Sequence, residues 1–178
     1  PGGEAILAAG QRVELGDTAT PGVRVEVSGE GEVTNMGAIV ADAGRIGLVG
    51  ALVRNSGTLN ASSAVEEGGK IFLRATRTAE HTASGRIEAN GVSGGRVTMA
   101  SDDVTLVSGE ISATGSAGNG GAIQLLGDKV GVIGEAVVDA SGNTGGGSIL
   151  VGGDYQGKNP DGRKATVSHV GADATLKA

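Results

Sequence analysis

Apolar residues alternate with polar or small ones along most of the chain, and the alternation returns at a fixed interval. Six five-residue runs, at 3–7, 44–48, 69–73, 95–99, 121–125 and 147–151, read glycine, variable, aliphatic, variable, apolar. From the second run on, the central residues are Ile46, Ile71, Val97, Ile123 and Ile149, a nearly constant step. Alternation of this kind predicts strands. A period of about 26 residues predicts a solenoid of repeated supersecondary units.

Two further apolar signals fall within each period. Seven or eight residues after the central position come Val13-Glu-Leu15, Val104-Thr-Leu106 and Val130-Gly-Val132. An apolar-variable-alanine triplet follows: Ile39-Val-Ala41, Leu59-Asn-Ala61, Ile87-Glu-Ala89, Ile111-Ser-Ala113, Val138-Asp-Ala140 and Leu176-Lys-Ala178. Three short strands per period predict an all-β right-handed parallel β-helix of about six coils of ~26 residues. The central residue and its second neighbour are expected to stack in the lumen. The glycine two places earlier is expected to supply φ > 0 at a corner. Two segments break the rhythm, and excursions are expected at about 16–33 and 152–164. The second contains Asn159-Pro-Asp-Gly162, which suits a type I turn. Strand patterns run from Gly3 to Ala178 with no capping segment at either end, so 1–178 reads as one segment of a longer solenoid.

Composition narrows the picture. The chain has 178 residues, with 35 glycines, one Tyr, one Phe, no Trp and no Cys. So few aromatics could not fill an ordinary globular core. Stacked Ile, Val, Leu and Ala can fill a narrow one. Net charge is −6, and the 14 basic residues are spread among 20 acidic ones. This predicts no basic stripe and no nucleic-acid partner. No apolar run approaches a membrane span, and without Cys there is neither disulfide nor thiolate metal site.

Candidate chemistry is sparse. Five residues after each central position stand Gly10, Ala51, Thr76, Asp102, Asp128 and Asp154. Three carboxylates at equal steps of one period would stack on one edge, as a Ca²⁺ site or an acidic cleft. Asp also favours corners through Asx-turns, and that is the preferred reading. His81 and His169 are read as exposed structural residues. No serine sits in a nucleophile-elbow context and no glycine run has the lysine of a phosphate loop, so no catalytic, cofactor or metal residue is assigned. Tyr155 with Gln156, Lys158 and Asn159, in the second excursion, forms a candidate partner-binding loop.

Several blocks resemble the filamentous haemagglutinin type of large exoprotein exported by two-partner secretion. They begin at Ala8-Ala-Gly-Gln-Arg-Val-Glu-Leu, Asn35-Met-Gly-Ala-Ile-Val-Ala-Asp, Asn55-Ser-Gly-Thr-Leu-Asn-Ala and Gly68-Gly-Lys-Ile-Phe-Leu-Arg-Ala. The most specific is Gly146-Gly-Ser-Ile-Leu-Val-Gly-Gly-Asp-Tyr-Gln-Gly-Lys-Asn-Pro. The resemblance implies a right-handed parallel β-helix and a Gram-negative cell-surface location. It also implies export of the parent chain through an outer-membrane pore, and adhesion to a receptor or glycan. The Asn-Pro-Asn tetrapeptides of that family's secretion domain are absent, so the chain is similar to the shaft beyond it. The expectation is a non-catalytic adhesive shaft without cofactors. The alternatives are the stalk of a contact-dependent growth inhibition toxin, a polysaccharide-active β-helix enzyme and a haem-acquisition exoprotein.

Overall fold

The computed structural model describes residues 2–17, 23–153 and 164–178, and among them every regular element is a strand. All but one of the strand pairings are parallel, and they form three ladders that the chain visits in turn. The first ladder stacks β1 (Glu4–Ala8), the start of β6 (Arg45–Asn55), the start of β8 (Lys70–His81), β10 (Arg96–Ser101), β13 (Ala122–Leu126) and β16 (Ser148–Val151). Its register places Ala5, Ile46, Ile71, Val97, Ile123 and Ile149 in one column. Leu7, Leu48, Leu73, Met99, Leu125 and Val151 form another. These are the two columns expected from the repeat, and their four middle rungs are fully buried.

The third ladder is as regular. It stacks β5 (Ala38–Val40), β7 (Thr58–Asn60), β9 (Arg86–Glu88), β12 (Glu110–Ser112), β15 (Val137–Asp139) and β18 (Thr175–Lys177). The apolar residue of every triplet falls in one column, from Ile39 to Leu176. The alanine that follows meets the glycine that opens the next round. Gly69 N donates to Ala61 O and Gly95 N to Ala89 O, both at 2.7 Å.

The opening glycines do not serve the purpose expected of them. None of Gly3, Gly44, Gly69, Gly95, Gly121 and Gly147 has positive φ. From Gly44 on they are needed because successive rounds nearly touch. A Cβ on Gly95 would overlap the carbonyl oxygen of Gly69, and one on Gly69 that of Gly44. Those carbonyls are engaged already: Arg96 N donates to Gly69 O at 3.0 Å and Lys70 N to Gly44 O at 2.8 Å.

The second ladder departs most from expectation. It stacks β4 (Glu32–Asn35), the ends of β6 and β8, β11 (Val104–Val107), β14 (Lys129–Val132) and β17 (Val167–Val170). Because β6 and β8 pass through the corner unbroken, the first two ladders belong to one ten-stranded sheet. Those two rounds therefore carry two strands rather than three short ones. Val13 and Leu15 are not on this ladder. They belong to β2 (Arg12–Asp17), which pairs antiparallel with β3 (Val23–Ser28). The first excursion is thus a hairpin, and Val33, placed within it by the sequence reading, is a buried rung of β4.

Val104 and Leu106 face outward and are half-buried, while Thr105 and Val107 face the core. The corner before Lys129 is one residue shorter than the corner before Val104. Ala100 pairs with Leu126, but Val104 pairs with Lys129. One residue in a corner exchanges the two faces of a strand.

Candidate functional site

The first residue of each strand on the first ladder points away from the core. In order these residues are Glu4, Arg45, Lys70, Arg96, Ala122 and Ser148. Three cations therefore stand directly over one another, at a rung spacing of ~4.8 Å. Arg74, further along β8, extends the same face and is exposed. Arg45 pairs with Glu4 at 3.3 Å. Among the described residues no ion pair reaches Lys70, Arg74 or Arg96.

The other walls behave differently. Arg54 meets Glu80 of the next rung at 2.8 Å, and Arg86 meets Glu110 at 2.9 Å. Lys129 lies 3.8 Å from Asp103 and Lys177 3.9 Å from Asp139. There each of these cations has a carboxylate of a neighbouring round within reach, and opposite charges facing one another across a sheet are stabilising. On the first ladder, among the described residues, only Arg45 has one.

Phe72, the chain's one phenylalanine, lies on this face. Its ring rests on Gly47 of the round before, where any Cβ would collide with it. The Arg45 guanidinium sits 4.7 Å from the ring centroid, within cation–π range. Two clefts flank this pair. One, of about 550 Å³, is bounded by Glu4, Arg45, Lys70, Arg96 and the corner at Glu66, Glu67 and Gly68. The other, of about 420 Å³, lies between Phe72, Arg74 and the hairpin residues Glu26 and Val27. The expectation of no basic stripe is therefore corrected. Arg45, Lys70 and Arg96 come from successive rounds, so no local window of sequence contains two of these three.

The expected aspartate column does not form. The shorter corner sets Asp128 level with Asp103, and Lys129 N donates to Asp103 O at 2.9 Å. Asp102 is the additional corner residue, its N–H donating to Ala75 O at 3.2 Å. Asp128 Oδ1 accepts from Thr166 Oγ1 at 2.9 Å. Asx-turns do occur, at Asn60 and Asp139, whose side chains accept from the N–H groups of Ser62 and Ser141. Among the described residues no three His, Asp or Glu side chains are grouped to hold a metal ion. Asp154 and the loop of Tyr155, Gln156, Lys158 and Asn159 lie outside the described residues.

His169 is exposed, as expected, but His81 is completely buried. Asn35, Asn55 and His81 share one inward column of the second ladder. Asn35 Nδ2 donates to Asn55 Oδ1 at 2.8 Å, and Asn55 Nδ2 lies 3.2 Å from His81 Nδ1. Nε2 of His81 is 3.0 Å from the carbonyl of Glu110. A carbonyl only accepts, so Nε2 carries the proton and Nδ1 accepts from Asn55. The neutral ring satisfies every partner, and a cationic ring would face Asn55 donor to donor.

Burial lowers the His81 pKa from its ordinary 6.5, against smaller raising effects of its bonds to Glu110 and Asn55. The unfolded chain then binds the proton more readily than the folded one. Stability from the neutral ring is complete above pH 6.5 and is lost as pH falls from there toward the folded pKa. Within that window it should decline by up to about 1.4 kcal/mol per pH unit. Urea midpoints of wild type and His81→Leu, measured from pH 8 to 5, check this. The difference between the two curves should change only below about pH 7.

No family model, no curated protein and no solved structure matches the chain.

Proposed function

We propose that the three ladders are the walls of a right-handed parallel β-helix, and that the chain is a non-catalytic shaft segment of an exported, adhesive bacterial surface protein of the filamentous haemagglutinin type. The observation that carries this is the in-register return of the same three ladders through six rounds. A repeating parallel stack lengthens by ~4.8 Å per round and holds its shape without large side chains. Such an object suits reach and display. The glycine-led blocks that resemble the haemagglutinin-type proteins supply the location and the export route.

The test is to delete codons 44–146 from the parent gene, which removes four rounds. The expected result is a surface fibre shorter by roughly 20 Å, with reduced adherence and intact export. Unchanged fibre length would sink the shaft reading. Turnover of a polysaccharide by the purified chain would overturn its non-catalytic part, and a density map showing a left-handed coil would overturn the fold assignment.

A further inference from the structure

We propose that the outward face of the first ladder binds a uronate-bearing polysaccharide. The sugar chain would lie along the stack, with its carboxylates on Arg45, Lys70 and Arg96. This does not depend on the shaft reading: a passive shaft and a glycan-binding one would share the same ladders.

Three observations carry it. First, three cations occupy adjacent rungs of a chain whose net charge is −6, while Arg54 and Arg86 on the other walls each face a carboxylate on the next rung. Like charges directly opposed across a sheet destabilise it. An anion bridging the rungs reverses that cost. Second, the cations follow one another at ~4.8 Å, the scale of a single sugar. The carboxylates of an extended polyuronate that turn toward the wall can therefore meet cations on more than one rung. Arg45 and Arg96 can take a carboxylate through two parallel N–H donors, and Lys70 as a point charge.

Third, the surroundings suit a sugar better than a nucleic acid. Arg45 is held in position between Glu4 and the Phe72 ring. Thr98 and Gln124 continue the floor beyond Phe72 on the next two rungs. Glu66 and Glu67, at the edge of the larger cleft, can accept hydrogen bonds from sugar hydroxyls. A single-stranded nucleic acid would want several open aromatic faces. Here, among the described residues, the one ring on the face carries the Arg45 guanidinium.

The experiment is calorimetric titration of the protein with a galacturonic acid hexamer at low salt. A neutral hexose hexamer, a sulfated galactose hexamer without uronic acid and a thymidine hexanucleotide serve as comparators. Saturable binding of the uronate is expected, weakening as salt is raised. The double variant Lys70→Glu/Arg96→Glu should lose at least about tenfold in affinity. The double variant Arg54→Glu/Lys129→Glu, with the same charge change on another wall, should change by less than about threefold.

Without ligand, Lys70→Glu alone should melt no lower than wild type, because it makes sign alternate along the column from Glu4 to Arg96. If Lys70→Glu/Arg96→Glu melts lower than wild type, Lys70→Gln/Arg96→Gln carries the same binding test. Failure of the uronate to saturate, equal binding of the neutral hexamer, or undiminished binding by both cation variants would overturn the proposal. Tighter binding of the sulfated hexamer or the oligonucleotide would overturn it too, assigning the face to sulfate or phosphate. None of these outcomes bears on fibre length, so the shaft reading stands or falls separately.

Discussion

Replacing Gly95 with alanine should destabilise the protein by about 3 kcal/mol, although alanine is ordinarily the better residue for a glycine with negative φ. The usual gain from stiffening the unfolded chain is about 0.4–1 kcal/mol. Against it stands a Cβ overlapping the backbone oxygen of Gly69, with the Gly68 carbonyl beside it. Backbone cannot rotate away as a side chain can. The rung must therefore separate, which strains the Arg96 N to Gly69 O bond and the Gly95 N to Ala89 O bond together. Overpacking without an escape route costs about 1–3 kcal/mol and sometimes more, so the clash outweighs the entropy.

Gly3 supplies the control. It holds the same place in the repeat, but a Cβ there would meet nothing within 4 Å. Gly3→Ala should shift stability by less than about 1 kcal/mol. Urea denaturation of both variants decides the matter. Equal effects would mean that the glycines serve conformation rather than approach between rounds.

Asn55→Ala should cost about as much, roughly 3 kcal/mol, for a different reason. The Asn55 side chain is buried, accepts from Asn35, donates to the carbonyl of Gly57 and approaches His81 Nδ1. Truncation leaves the Nδ1 acceptor buried without a partner and opens a small cavity. Leaving one buried polar group unmet costs about 1–3 kcal/mol, whereas replacing a whole set by apolar groups can be nearly neutral.

The fold contains the comparison already. In the same column, the three rungs after His81 are Val107, Val132 and Val170. The carbonyls of Gly37 and Gly57 also keep backbone donors, from Thr58 and Arg86. The triple variant Asn35→Val/Asn55→Val/His81→Leu should therefore lose less than about 1.5 kcal/mol, half the cost of Asn55→Ala alone. A triple variant less stable than the single one would show that the polar column contributes net stability.

Much of this architecture was legible because its columns recur. On the first and third ladders each rung repeats a glycine, an aliphatic residue or an alanine at a nearly constant place. Aligning the repeats therefore reproduced the hydrogen-bonded register. The second ladder resisted the same treatment. Its corners differ by one residue, and Val104 and Leu106 are apolar although they face outward. Alternation alone then could not say which set was inside. The hairpin was missed for a related reason. Val13 and Leu15 alternate as a parallel rung would, and period two does not distinguish a parallel partner from an antiparallel one.

His81 was misplaced because a buried histidine looks improbable until its acceptor and donor are known. The only hint in the chain was that Asn55 stands one full period before it. The cation face could be found in the aligned repeats, at the place just before each central residue. It could not be found in composition, since the chain as a whole is acidic.

The sequence by itself determined that the strands would recur at a nearly fixed interval, which residues would fill two of the three ladders, and where glycine would recur. Period and alternation are properties of the chain alone, and burying an aliphatic face leaves few other solutions. Only the tertiary structure decided that glycine is obligatory at five of those six places and why, which face of the second ladder is buried and which charges meet. Each of these depends on contacts between rounds that lie a whole period apart in the chain, where one residue more or less in a corner changes every partner beyond it.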